Sequence, residues 1–266
     1  MKRHNRLSEK ILMAVLVFFF YAPILYAIVF SFNQSKSLTN FSGFSLQWYG
    51  KMFRDREMKE ALFYTIVIAA LATLISTVFG TFAAIGLSKS NKGLKFAVEQ
   101  INNLPIMNPD IVTAIGLLVL FATLHIKNGF GTMLLAHVMF CTPYVILSVM
   151  PRLRGLDPNL AEAAMDLGAT PLYALMKVVV PQIMPGIISG ALTAFTMSFD
   201  DFVISFFVQG NGVSNISIIV YSMSRRVNPS INALATVVIV IISVFLLLAN
   251  VLPAKISKKK NLALQG

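Results

Sequence analysis

Six apolar runs, each 21 to 27 residues long, dominate the sequence: 11–32, 61–87, 101–124, 130–150, 186–208 and 232–252. A helix rises 1.5 Å per residue, so about 20 apolar residues cross the hydrocarbon of a bilayer. No water satisfies peptide groups at that depth, and each run must close its hydrogen bonds within a helix. The sequence therefore predicts an all-α membrane protein with six transmembrane helices, a single transmembrane domain over 1–266. Charged residues make up 12% of the chain, against about 25% in soluble domains. Too little polar chain is left for a separate soluble catalytic domain. The first run is longer than a signal-peptide core and no small-residue cleavage site closes it, so it reads as a retained span. Cys141 is the one cysteine and lies inside an apolar run, which excludes a disulfide framework. His4, His125 and His137 lack ligand spacing.

The basic residues orient these spans. Lys and Arg number fourteen over the start, the 88–99 loop, the 152–185 segment and the tail, against eight over the other three connections. The positive-inside rule then puts both termini and the 152–185 segment on the cytoplasmic side of a multi-pass membrane protein. The net charge of +11 fits this orientation and contact with anionic membrane lipids better than nucleic-acid binding.

Within the spans, polarity is rare. Ser76, Gly80 and Ala84 recur every fourth residue in the second run and predict close approach of a neighbouring helix, as do Gly186 and Gly190 at the start of the fifth. The third run holds Pro105 and Pro109 among Asn102, Asn103, Asn108 and Asp110, which predicts a kinked or broken helix. Asp110, Asp200 and Asp201 are the acidic residues inside spans, with Ser198 just before the pair. Each carboxylate costs at least about 2.5 kcal/mol to insert and marks a candidate substrate path or gate. Asp110 has a second reading, in which Asn108-Pro109-Asp110 caps a restarted helix and the aspartate favours the helix dipole. Asp200 and Asp201 point about 100° apart on a helix, so both cannot face one spot. No Lys or Arg lies in a span to pair with them. In the 33–60 loop, Trp48 reads either as an interfacial anchor or as a cation–π contact for an amine-bearing substrate.

The segment 152–185 is half polar and sharply punctuated. Asp157-Pro158 predicts a helix start, Gly168 a left-handed C-terminal cap, Thr170-Pro171 a second start, and Pro181 a stop after Val179. Two short helices joined at a glycine bend form an elbow that needs a membrane surface or a partner's groove.

These residues carry a resemblance. Glu162-Ala163-Ala164, Gly168 and Pro181 resemble the EAA loop in the membrane subunits of ABC importers. Val178 and Val180 stand where that pattern prefers Ile and Leu, which keeps the apolar character. PIMNPDIVTAIGLLVLF, MDLGATPLYALMKVVVPQIMPGI, FTMSFDDFVISFFVQG and NALATVV extend the resemblance over nearly the whole chain, to the permease subunits of spermidine/putrescine ABC importers. It implies an ABC importer permease (MetI-like) fold, with cytoplasmic coupling helices between helices 4 and 5 that dock on an ATPase. It also implies a homologous second permease subunit, a homodimeric cytoplasmic ATPase that binds the ATP, and an extracytoplasmic polyamine-binding protein. This chain itself is expected to hold no cofactor.

Other readings stay open on the residues alone. An ABC permease for another solute, such as ferric iron, sulfate or a related cation, shares the elbow. An ion-coupled secondary transporter shares the broken helix and the membrane carboxylates but does not need the elbow. An intramembrane aspartyl protease lacks its YD and GxGD contexts here. An ion channel lacks a Gly-rich filter, and no G-x-x-x-x-G-K-[ST] run supports ATP hydrolysis by this chain.

Overall fold

The computed structural model describes residues 6–37, 39–210, 212–224, 229–244 and 247. The basic start at Lys2 and Arg3, Arg225 and Arg226, most of the sixth run past residue 244, and the tail with Lys255, Lys258, Lys259 and Lys260 lie outside the described residues.

The described structure is helical apart from two isolated bridges, Asn33 with Phe44 and Gly210 with Val213. In order the helices are α1 (Arg6–Ser31), α2 (Gln47–Arg54), α3 (Arg56–Lys89), α4 (Lys92–Met107), α5 (Asp110–Thr123), α6 (Phe130–Arg154), α7 (Leu160–Asp166) and α8 (Pro171–Ala174). A π turn, Leu175–Val179, leads into α9 (Val180–Phe199), followed by α10 (Val203–Val208), α11 (Ile216–Ser224) and α12 (Ser230–Val244). Four helices are long and apolar enough to cross a membrane: Glu9–Ser31, Arg56–Lys89, Phe130–Arg154 and Pro171–Phe199. The pair α4 and α5 makes a fifth if taken as one broken span. α12, from the sixth run, is shorter than a crossing over its described length. The connections expected as loops at 33–60 and 209–231 contain helices of their own, α2 and α11.

The chain divides into two compact units, Met1–Lys59 with Ile219–Gly266, and Glu60–Ile218. In the first, α1 is exposed along its whole apolar window, as a lipid-facing helix is. The chain after it is ordered around Asn33. The buried Asn33 amide accepts from Ser42 N–H at 2.9 Å and donates to Ser37 O and Asn40 O at 2.9 Å each. The Trp48 indole N–H donates to Asn33 O at 2.6 Å, and Tyr49 Oη lies 2.7 Å from Ser31 Oγ.

The second unit is built around α6, whose Val145 and Val149 are fully buried. Both expected small-residue faces meet it. A Cβ on Gly80 of α3 would lie 2.8 Å from Val145 Cβ, and one on Gly190 of α9 would lie 3.1 Å from Val145 Cα. At Gly186 it would lie 2.9 Å from Ser148 O. In lipid, where apolar surface gains nothing by leaving solvent, this close packing is what holds helices together. The third run is broken, as its prolines predict: α4 and α5 meet at 107°. Asn108 is extended there (φ −84°, ψ 146°), the conformation that a following proline imposes.

Two start and stop signals act differently from expectation. α7 begins at Leu160, two residues after Pro158, because the Asp157 carboxylate accepts from Asn159 N–H at 2.9 Å and closes a turn first. Pro181 does not stop its helix. The preceding π turn carries Val180 N–H back to Leu175 O, so Pro181 enters in the first turn of α9, where its missing N–H is tolerated. Pro171 to Phe199 is one 29-residue helix.

Candidate functional site

The fifth run is not one helix. α9 ends at Phe199, Asp200 is its C-cap, and α10 restarts at Val203. The break follows from the acidic pair. The Asp201 carboxylate accepts from Ile204 N–H at 3.2 Å and from Ser205 N–H at 2.7 Å, so it caps the first turn of α10. Asn215 secures the other side, donating from Nδ2 to Asp201 O at 2.7 Å and to Ser205 Oγ at 2.8 Å.

His137 of α6 stands behind this break, buried at 1% exposure. Its Nδ1 lies 2.6 Å from Ser198 Oγ and its Nε2 lies 3.0 Å from Ser205 Oγ. Asp201 Oδ2 is 3.6 Å from the same Nε2, with both side chains almost fully buried. The expected substrate-path residues Ser198 and Asp201 are thus drawn together by His137, which the sequence presents only as a histidine without ligand spacing. Its signal was faint: a lone imidazole in an apolar run, with Ser198 and Ser205 seven residues apart on another span.

The two aspartates divide. Asp201 faces inward to its cap and to His137. Asp200 is exposed, and its carboxylate has no side-chain partner among the described residues. Only its backbone is engaged, with Ser217 Oγ donating to Asp200 O at 3.2 Å. Asp110 is also exposed, the first residue of α5, where a carboxylate favours the helix dipole. Trp48 belongs to the other unit, is 3% exposed, and carries the Lys51 ammonium 4.3 Å from its ring centroid. Its cation–π capacity is engaged within the chain.

The elbow has the caps its residues predict. Gly168 is left-handed at φ 86°, and Ala169 N–H bonds Ala164 O while Gly168 N–H bonds Met165 O, the paired bonds of a Schellman ending. Thr170 Oγ1 accepts from Tyr173 N–H at 3.3 Å and Pro171 opens α8. Glu162, Ala163 and Ala164 lie on α7. A groove of about 490 Å³ runs past Ala164, Gly168 and Tyr173, and Leu167 at its edge is 91% exposed.

Residues 76–261 match the family described as binding-protein-dependent transport system inner membrane component. The chain is 41% identical over 254 residues to the putrescine transport system permease protein PotI of Escherichia coli (strain K12), covering 91% of this chain and 89% of that one. It is 36% identical over 258 residues to the spermidine/putrescine transport system permease protein PotC of the same organism, covering 97% of each. Its fold is similar to a solved bacterial ABC transporter that imports the acidic polysaccharide alginate, with TM-score 0.73 at 16% identity over 95% of this chain and 98% of that one.

Proposed function

This chain belongs to the family of binding-protein-dependent transport system inner membrane components, and on that premise we propose that it is the membrane permease of an ATP-driven importer of polyamines. The observation that carries the substrate class is the 36–41% identity, over more than nine-tenths of the chain, to permeases named for putrescine and spermidine. The chemistry of the acidic break agrees. Polyamines are multiply cationic, and an exposed carboxylate about 4 Å from an ammonium attracts it by about 4 kcal/mol at an effective dielectric constant near 20.

In this reading the whole chain, 1–266, acts as one permease of six spans with both termini and the elbow in the cytoplasm. Asp200 and Asp110 offer carboxylates to the passing cation, while Asp201, Ser198 and His137 hold the helix break that presents Asp200. Trp48 anchors the 33–60 segment. The elbow, Glu162 to Pro181, docks on a separate ATPase dimer that binds and hydrolyses ATP, with Ala163, Ala164 and Gly168 shaping the contact. A homologous second permease completes the path, and an extracytoplasmic binding protein delivers the polyamine. Support for the docking role comes from the rigid double cap and from the exposed apolar edge at Leu167.

The test is uptake. The chain is coexpressed with its partner subunits in cells lacking polyamine importers, and labelled putrescine and spermidine are followed with membrane abundance checked. ATP-dependent uptake is expected, lost in Asp200→Asn at normal abundance with stimulated ATP hydrolysis retained. An assembled complex that takes up neither amine refutes the substrate assignment and leaves the family membership standing.

A further inference from the structure

A second site lies apart from the acidic break, where the ends of α3 and α6 meet the start of α4 and the elbow. The cavity there is about 340 Å³, at the lower end of the roughly 300–1,000 Å³ that ligand pockets occupy. Lys89, Lys95 and Arg154 line it together with Asp157, and Leu156 and Leu160 give apolar wall.

The cations are not equivalent. Arg154 Nη2 is held by Glu99 Oε1 at 2.7 Å. Neither Lys89 nor Lys95 has a carboxylate in ion-pair reach among the described residues. A lysine at a helix C-terminus often serves the terminal carbonyls, but in α3 one of these is already taken, with Ser90 Oγ donating to Leu87 O at 2.9 Å. Lys95 is half-buried and stands in the first turn of α4, beside Lys92 and the positive end of that helix dipole. Ammonium groups crowded at a helix N-terminus are disfavoured unless an anion joins them. Asp157 works against an anion, but its Oδ1 is engaged by Asn159 N–H at 2.9 Å. With Arg154 neutralised by Glu99, two lysines against one aspartate leave one net positive charge, which a phosphodiester balances.

We propose that this cavity binds the phosphate group of an anionic phospholipid, with Lys89 and Lys95 on the phosphate and the apolar wall against the glycerol and first acyl carbons. The site's position at the end of membrane-crossing helices, on the side given the larger share of Lys and Arg, supports a lipid of the cytoplasmic leaflet. That placement rests on the orientation proposed above, whereas the binding itself does not depend on transport.

The experiment is native mass spectrometry of the full chain purified with its partners in an uncharged detergent, titrated with phosphatidylglycerol or phosphatidylcholine. Wild type is expected to retain phosphatidylglycerol in preference to phosphatidylcholine. The Lys89→Gln/Lys95→Gln variant is expected to lose about 30-fold in affinity for phosphatidylglycerol, from two lysines at roughly 1 kcal/mol each. Lys127→Gln, in a different loop, is expected to bind as wild type does. Single Lys89→Gln and Lys95→Gln variants, each expected to lose about fivefold, stand in if the double variant does not assemble. Displacement of the lipid by millimolar inorganic phosphate assigns the same two lysines to a free phosphate instead. Phosphatidylglycerol binding unchanged in the lysine variants overturns the site.

Discussion

His137→Leu tests whether the polar node behind the acidic break holds the fold. Leucine fills the space of the imidazole but accepts and donates nothing. The consequences at each partner differ. Ser205 Oγ keeps its bond from Asn215 Nδ2 at 2.8 Å. Asp201 keeps its two backbone donors at 3.2 and 2.7 Å. Ser198 Oγ, 2% exposed as a residue, loses its 2.6 Å partner and is left alone. One orphaned buried hydroxyl costs about 1–3 kcal/mol. At 2–4 °C per kcal/mol for a chain of this size, a loss near 2 kcal/mol lowers Tm by about 4–8 °C. Thermal unfolding followed by far-UV circular dichroism at fixed scan rate, in one detergent, reads this directly. The decisive variant is His137→Leu/Ser198→Ala. Removing both partners leaves no orphan, so the double variant is expected to be more stable than His137→Leu alone by about 1 kcal/mol. A double variant whose loss equals the sum of the two single losses refutes the reasoning, because it shows that the two side chains do not interact.

Two further outcomes follow from glycines. A Cβ on Gly210 would lie 1.9 Å from Asn128 O and 2.6 Å from Gly129 N, both backbone atoms. Gly210→Ala is therefore expected to cost at least about 3 kcal/mol, the upper end for overpacking, and to deplete the protein from the membrane; normal abundance counts against the close approach. At Gly168 the space is open, and the left-handed φ of 86° alone resists substitution. Gly168→Val is expected to cost about 1–2 kcal/mol and to lower binding-protein-stimulated ATP hydrolysis without loss of membrane insertion. Full stimulation in that variant removes the elbow from the coupling route.

What was legible in the sequence was mostly local. Gly168, Thr170 and Pro171 act within four residues of themselves, so their caps follow from their identity. Pro105 and Pro109 announce the break between α4 and α5 for the same reason. From the sequence Asp201 reads as a carboxylate inside a span, because the apolar residues on both sides mask a helix start. Its capping partners, Ile204 and Ser205, were in plain view. His137 is different. Its partners lie 61 and 68 residues along the chain, and no periodicity within one helix encodes that meeting. Pro181 misled because the stop rule assumes α geometry, while the wider π turn before it places the proline where no donor is required. Trp48 was open between anchor and substrate contact, and the structure engages it with Asn33 and Lys51, neither of which a charge or hydropathy pattern singles out.

The unbroken run from Pro171 to Phe199 has a mechanical consequence. At 1.5 Å per residue its 29 residues form a stiff member about 43 Å long, with the elbow at one tip and Asp200 at the other. Axial travel at one tip is carried to the other along a helix whose π turn, Leu175–Val179, lies at the elbow end. Tilting passes through a fulcrum. The tightest seat against α6 is at Gly186, 15 residues from Pro171 and 13 from Phe199. With that seat as fulcrum, a sideways push on the elbow reaches the acidic end at about nine-tenths of the amplitude and in the opposite direction, by the rise per residue alone.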